Sequence, residues 1–162
     1  MRAVIMTLFF AFVFVQPALA NDVTEVQQLV DENIKVVIEY VKDKSLDKET
    51  RNRKIIETVS PFFDFNFMAK VCLEKKHRKK LSKTQQKEFT DLFVKRLQES
   101  FLEKLDLYTD EEVVIEKAKR VKKRIHALTY LVSKGDKMEL NFKFRKTKKG
   151  WKVYDLEVLG VS

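Results

Sequence analysis

Two aspartates set in aromatic sequence are the residues of this chain most able to do chemistry. Asp64 lies within Pro61-Phe62-Phe63-Asp64-Phe65-Asn66-Phe67-Met68, and Asp155 follows Trp151-Lys152-Val153-Tyr154. A carboxylate held in an apolar pocket can act as a general acid or base, as isomerase-like enzymes use it. Asp155 is the candidate for that role. Both acids also have a structural assignment, which the residues favour. Asp64 would cap a helix starting near Phe65, and Asp155 would take backbone or Arg/Lys hydrogen bonds at an irregularity in a strand.

Other chemistry finds little support. His77 sits among five Lys/Arg between Lys75 and Lys80 and reads as a solvated surface residue. His126 has no Cys or second His near it in sequence, and a metal site needs three or four converging ligands, so no metal is assigned. Ser133 and Ser162 lack a Gly-x-Ser-x-Gly elbow, and no base can be nominated for either. Cys72 is the one cysteine, which rules out an intramolecular disulfide; within Met68-Ala69-Lys70-Val71-Cys72-Leu73 it reads as a buried small hydrophobe. Three Gly and two Pro in the whole chain argue against Gly-rich phosphate cradles and long loops, and no cofactor is expected.

The elements that would position these residues begin behind a leader. Arg2 precedes an apolar run from Ala3 to Val15, Gln16-Pro17 breaks it, and Ala18-Leu19-Ala20 has the small-x-small form of a cleavage site. The run is shorter than the roughly 20 residues a membrane span needs. Residues 1–20 are therefore expected to be a cleaved signal peptide, with a single exported domain over 21–162. Its removal takes away one cation and no acid, so the net charge falls from +9 to +8. In an exported protein that excess suits an anionic membrane surface or an acidic protein face better than nucleic acid. Interleaving, as in Glu74-Lys75-Lys76-His77-Arg78-Lys79-Lys80, makes much of it a solvated surface.

The domain divides into a helical half, 21–108, and a sheet half, 111–162. Val23, Val26, Val30, Ile34, Val37 and Val41 form a helical stripe. Asp47 is placed to cap a second helix through Val59, with Ile55, Ile56 and Val59 inward and Pro61 ending it. A short helix is expected over Phe65 to Leu73. Ser82-Lys83-Thr84-Gln85 has the form of a capping box opening a long helix, with Phe89, Leu92, Phe93, Leu97, Phe101, Leu105 and Tyr108 on one side. Beyond Tyr108 the apolar period becomes two. Strands are expected at Val113–Ile115, Arg120–Ser133, Met138–Arg145 and Trp151–Val158, with turns at Ser133-Lys134-Gly135-Asp136 and Lys148-Lys149-Gly150. The apolar phase slips between Val153 and Leu156, which predicts a bulge near Tyr154-Asp155. The fold class is α+β: N-terminal helices packed on a twisted four-stranded antiparallel sheet.

Four Phe between Phe62 and Phe67 are too many for one helical face, and with Phe89, Phe93, Phe101, Phe142, Phe144 and Trp151 they could enclose a solid core or a cavity. The two remain open on composition alone. A lipid cavity would need almost no polar groups, since each buried CH₂ contributes about 0.8 kcal/mol; an enzyme would need several that converge.

Three ordered segments carry a family resemblance. Arg53-Lys54-Ile55-Ile56-Glu57-Thr58-Val59 leads into Phe63-Asp64-Phe65 and Met68-Ala69; Leu81-Ser82 and Gln85-Gln86 lead into Phe89 and Phe93; Gly150-Trp151-Lys152-Val153-Tyr154-Asp155 runs to Leu159-Gly160-Val161-Ser162. The chain resembles the MlaC/toluene-tolerance family, the periplasmic phospholipid-binding shuttles of the intermembrane lipid-transport (Mla) system. The resemblance implies an NTF2-like sheet with added helices and a deep apolar cavity for phospholipid tails. It also implies docking onto an outer-membrane lipoprotein–porin complex and onto the inner-membrane ring-forming component of a lipid ABC transporter. Family members usually continue past the Gly-Val-Ser with a Tyr- and Arg-containing segment and a C-terminal helix, so a fragment or a shorter variant is expected here.

The expected function is a non-enzymatic, monomeric periplasmic carrier that shuttles phospholipid between outer and inner membranes. Its cavity would be lined by Phe63, Phe67, Phe93, Leu97, Phe101, Ile125, Ala127, Leu140, Phe142, Trp151 and Val153, with Arg120, Lys122 and Lys143 flanking the rim. The alternatives are an enzyme using Asp155 and a solid-cored basic adaptor for an acidic envelope protein.

Overall fold

A computed structural model describes residues 18–106, 112–133 and 136–161. Among the described residues, five helices precede five strands. Helix α1 spans Ala18–Lys42, so the expected leader boundary after Ala20 falls in its first turn, while residues 1–17 of that leader lie outside the described residues. Helix α2, Lys48–Val59, starts where Asp47 accepts from Thr50 N at 2.9 Å, and a 3₁₀ turn, Ser60–Phe62, follows at Pro61. Asp64 caps α3, Phe65–Cys72, by accepting from Phe67 N at 3.2 Å. After the single-turn α4, Lys75–Arg78, the capping box forms as its residues predict: Gln85 N donates to Ser82 Oγ and Ser82 N donates to Gln85 Oε1. It opens α5, Lys83–Leu105. The expected extension to Tyr108 lies outside the described residues.

The strands are β1 (Glu112–Ile115), β2 (Lys119–Val121), β3 (Arg124–Ser133), β4 (Asp136–Thr147) and β5 (Gly150–Val158). All pair antiparallel, in the order β1-β3-β4-β5, with β2 also on β3. The expected four strands are therefore five. The single strand foreseen over Arg120–Ser133 folds back at Lys122-Lys123, with Lys122 at φ 55°, so that Val121 pairs with Arg124. The expected bulge is present: Lys143 pairs with Asp155 and Phe144 with Val153, which leaves Tyr154 as the extra residue.

The pleat puts Ile125, Ala127, Thr129 and Leu131 of β3 on one face with Phe144, Phe142, Leu140 and Met138 of β4. The bulge restores the phase of β5, so that Trp151 and Val153 and then Leu156 and Val158 share this inner face. Val26 and Val30 of α1 bury against it, forming a core with Ala118, Ile125, Ala127, Phe144, Trp151 and Val153. α2 packs on α1 and buries Ile55 completely. Phe63 continues the sheet edge by a parallel bridge to Val153, and Asp64 N donates to Val153 O at 2.8 Å. α5 packs on α3, and its far end is tied to α2 by Asp106, which pairs with Lys48 at 2.7 Å and Arg51 at 2.5 Å.

Two smaller expectations fail. Cys72 is exposed, because Ala69 takes the inward position of α3 and the helix ends with Val71 and Cys72 turned outward. Leu92 is also exposed: it lies about 100° round α5 from Phe93, off the row that faces inward.

Candidate functional site

The inner face of the sheet is covered unevenly along its length. At one end Ile125, Ala127, Phe144, Trp151 and Val153 are buried under α1. At the other, Val113, Ile115, Leu131, Met138, Leu140, Phe142, Leu156 and Val158 all point to the same face and all remain half-buried. Thr129 marks the boundary between them. It is fully buried, and its Oγ1 has no hydrogen-bond partner among the described residues.

α5 shows the same incompleteness. Phe89, Phe93, Leu97, Phe101 and Leu105 recur at helical spacing and are half-buried; none of the helix's residues is fully buried. Phe93 stacks on Phe89 with ring centroids 6.3 Å apart. An apolar row that long, left partly covered, is the kind of surface that receives a ligand or a partner.

The eleven residues expected to line a cavity thus fall into separate groups. Ile125, Ala127, Trp151 and Val153 lie in the filled core, with Phe63 and Phe142 at its margin. Leu140 sits further along the open end, across from Thr129 and Val158. Phe93, Leu97 and Phe101 stand on α5, away from that core cluster. Phe67 is held differently from the rest: its ring meets Tyr154 edge-on at 5.8 Å and lies under the Arg145 guanidinium at 4.1 Å. Arg145 in turn donates to Asp64 Oδ2 at 2.6 Å. Nothing in the sequence pointed to Arg145, since an Arg alternating with Phe in a strand reads as an outward, solvated residue.

Polar groups collect on the opposite face. Lys143 bridges Asp155, at 2.9 Å, and Glu157, and Asn141 Nδ2 donates to Glu157 at 3.0 Å. Asp155 is therefore engaged by a cation on the face turned from the apolar core, as its structural assignment requires. The hydrogen bond from Lys143 holds the Glu157 carboxyl below its ordinary pKa. Burial is the largest influence on Lys143 and pulls its pKa down, but the two carboxylates together raise it. His126 is lowered by burial and then by Lys143. Of the rim cations foreseen, Lys143 is thus on this polar face, Lys122 is exposed in the β2–β3 turn, and Arg120 donates to Asp22 at 2.8 Å. Among the described residues no group of three or more His, Cys, Asp or Glu is placed to hold a metal ion.

Asp22 anchors the start of α1 to the closed end of the sheet. Lys146, Arg120 and, at 3.3 Å, Trp151 Nε1 all donate to its carboxylate. The Lys146 hydrogen bond leads in lowering its pKa from 3.8 to about 2. Arg120 and Lys146 also lie 5.9 and 5.6 Å from the Trp151 ring centroid.

The described residues form an α+β fold, with helices packed on one antiparallel sheet whose inner apolar face is open at one end. The family comparison is specific: the family model described as MlaC protein matches residues 27–162, and the chain belongs to the MlaC family. No curated protein matches it. Among solved structures, a phospholipid-binding protein from Ralstonia solanacearum, determined in complex with a phospholipid, is similar in fold. The TM-score is 0.72 at 17% identity, over 83% of this chain and 78% of that one. No helix among the described residues is long and apolar enough to cross a membrane.

Proposed function

We propose that this chain is a periplasmic phospholipid carrier, without enzymatic activity, that encloses acyl chains and ferries them between the outer and inner membranes. Its membership of the MlaC family and the phospholipid bound by a protein of similar fold both support that reading. The observation that carries it in this chain is the half-covered apolar row on α5 together with the half-covered end of the sheet's inner face. Acyl chains would lie against Leu140, Phe142 and Phe63 on the sheet side and Phe93, Leu97 and Phe101 on the helix side. Ile125, Ala127, Trp151 and Val153 would form the floor on which that site rests, and Phe67, held by Arg145 and Tyr154 on the other face of the sheet, would stand outside it.

Burying about ten methylenes would gain roughly 8 kcal/mol before the cost of ordering the chain, enough to hold a lipid without any covalent step. Loading and unloading would take place at an outer-membrane lipoprotein–porin complex and at the ring-forming inner-membrane component of an ABC transporter, with the carrier acting as a monomer. Organic extraction of the purified protein followed by lipid mass spectrometry tests the reading. Stoichiometric phospholipid is expected; protein from an export-competent host that yields none refutes it.

A further inference from the structure

We propose that the corner made by the end of α3, α4 and the start of α5 docks on the anionic headgroups of a phospholipid membrane surface. Between Lys70 and Lys87 the chain carries seven Lys and one Arg against a single acid, Glu74, with Glu88 and Asp91 following on α5 before Leu92. The fold gathers them on one unit. Arg78 Nη1 donates to the Lys70 carbonyl at 2.9 Å, and Gln86 Nε2 donates to the carbonyls of Arg78 and Leu81 at 3.2 and 3.0 Å. Lys70, Arg78 and Lys87 line one cavity of about 300 Å³ between the three helices.

Elsewhere Arg120 and Lys146 meet Asp22, Lys143 meets Asp155 and Glu157, Arg145 meets Asp64, and Arg51 meets Asp106, while the part-buried Lys54, Arg124 and Lys152 meet the Tyr40 ring, the Tyr154 ring and the Pro61 carbonyl. In this corner only Lys76 and Lys87 have carboxylate partners, Glu74 at 2.9 Å and Asp91 at 2.6 Å. Lys70, Lys75, Lys79, Lys80 and Lys83 are exposed without a carboxylate partner among the described residues. Two aliphatic side chains stand out beside them, Val71 at 62% and Leu92 at 60% exposure.

That combination fits a lipid surface better than an acidic protein. Lysine is depleted at protein–protein interfaces while arginine is enriched there, and seven of this corner's eight Lys/Arg are lysine. Flexible ammonium groups serve as point charges for headgroups that have no fixed geometry. Clustered Lys/Arg beside exposed apolar side chains is the composition of peripheral membrane contacts. The surface shares α5 with the acyl-chain site, but its lysines, Val71 and Leu92 are exposed and lie off the row of Phe93, Leu97 and Phe101, so vesicle binding and co-extracted lipid are read separately.

Co-sedimentation with vesicles of phosphatidylcholine, alone or containing phosphatidylglycerol, tests it. The intact protein should bind the anionic vesicles, lose that binding as salt shortens the screening length, and ignore the neutral ones. Replacing Lys75, Lys76, Lys79 and Lys80 together by Gln should weaken vesicle binding about tenfold or more. The same charge change at exposed Lys122, Lys123, Lys148 and Lys149 should weaken it less than about twofold. A Val71→Ser, Leu92→Ser pair should weaken it with the charge intact. Lipid co-extracted with the protein should stay the same in all three variants, which separates this result from the carrier reading. Equal losses in the two quadruple variants, or none in the corner variant, overturn the proposal; the second outcome leaves an acidic protein face as the corner's partner.

Discussion

At the Trp151 end of the sheet's inner face, Val26 and Val30 close over Ile125, Ala127, Phe144 and Val153; at the Val158 end, Leu131, Met138, Leu140 and Leu156 continue the same alternation only half covered. β3 and β4 run unbroken through both ends and the inward side chains at both are apolar, so what distinguishes the ends is their cover. α1 lays its stripe across one end, whereas α5 packs on α3 and is fastened at its far end to α2. A binding surface here amounts to a core whose second half has been left without its cover, and the stability forgone there must be supplied by the closed end.

The comparison is broken most directly by truncating one residue at each end. Ile125→Ala removes a wholly buried side chain and should cost about 2–5 kcal/mol in urea unfolding of lipid-free protein, with the lipid content of the folded fraction unchanged. Leu140→Ala, in the same sheet and on the same face, should cost only about 1 kcal/mol yet reduce bound phospholipid severalfold by mass spectrometry. Lipid-free protein is essential, because a bound ligand adds stability by mass action and would hide the contrast. Equal stability losses would show that the two ends are packed alike.

How much of this was legible in the residues follows from the range of the interactions. Short-range signals were sufficient for the caps at Asp47, Asp64 and Ser82, for the strand alternation, and for the bulge at Tyr154, where a slip of apolar phase has to be absorbed locally. The fold-back at Lys122 left no trace, because the usual signal of a two-residue turn is Gly, Asn or Asp, and here lysine occupies the left-handed position. Cys72 and Leu92 were misplaced for another reason. An apolar residue near an apolar stripe is ambiguous until the neighbouring helix selects which row turns inward. Of the candidate site, the residue types were readable, but the split of Ile125 and Trp151 from Phe93 and Phe101 was not. Burial depends on which helix lies over which end, and periodicity within one element carries no information about that.

Asp22 sharpens the same contrast from the closed end, since it ties α1 to Trp151 and to strand cations. Its carboxyl is held at about 2 in the folded protein and returns to 3.8 on unfolding, so the folded state favours the charged form. That contribution is complete above about pH 5 and is lost as pH falls through 4 toward 2. Asp22→Asn should lower stability by about 1–2 kcal/mol at neutral pH and flatten this part of the acid limb in thermal melts taken across the range. Acid dependence unchanged by the substitution would mean that α1 is held down by its valines alone.

The smallest effect separates two neighbours on α5. Leu92 is mostly exposed, and Leu92→Ser should shift stability by no more than about 0.5 kcal/mol and leave co-extracted lipid unchanged. Phe93, one position on, is half-buried and stacked on Phe89. Phe93→Ser removes an aromatic face from the row that would meet the acyl chains, and it should lower lipid retention severalfold while costing about 1–2 kcal/mol. Measured side by side by mass spectrometry and urea titration, the pair tests orientation with composition nearly constant, because both replacements delete a large apolar group one residue apart. Were Leu92→Ser to shed the lipid and Phe93→Ser to keep it, the acyl chains would have to lie on the row of α5 about 100° round from Phe93, and the proposed site would be wrong on its helix side.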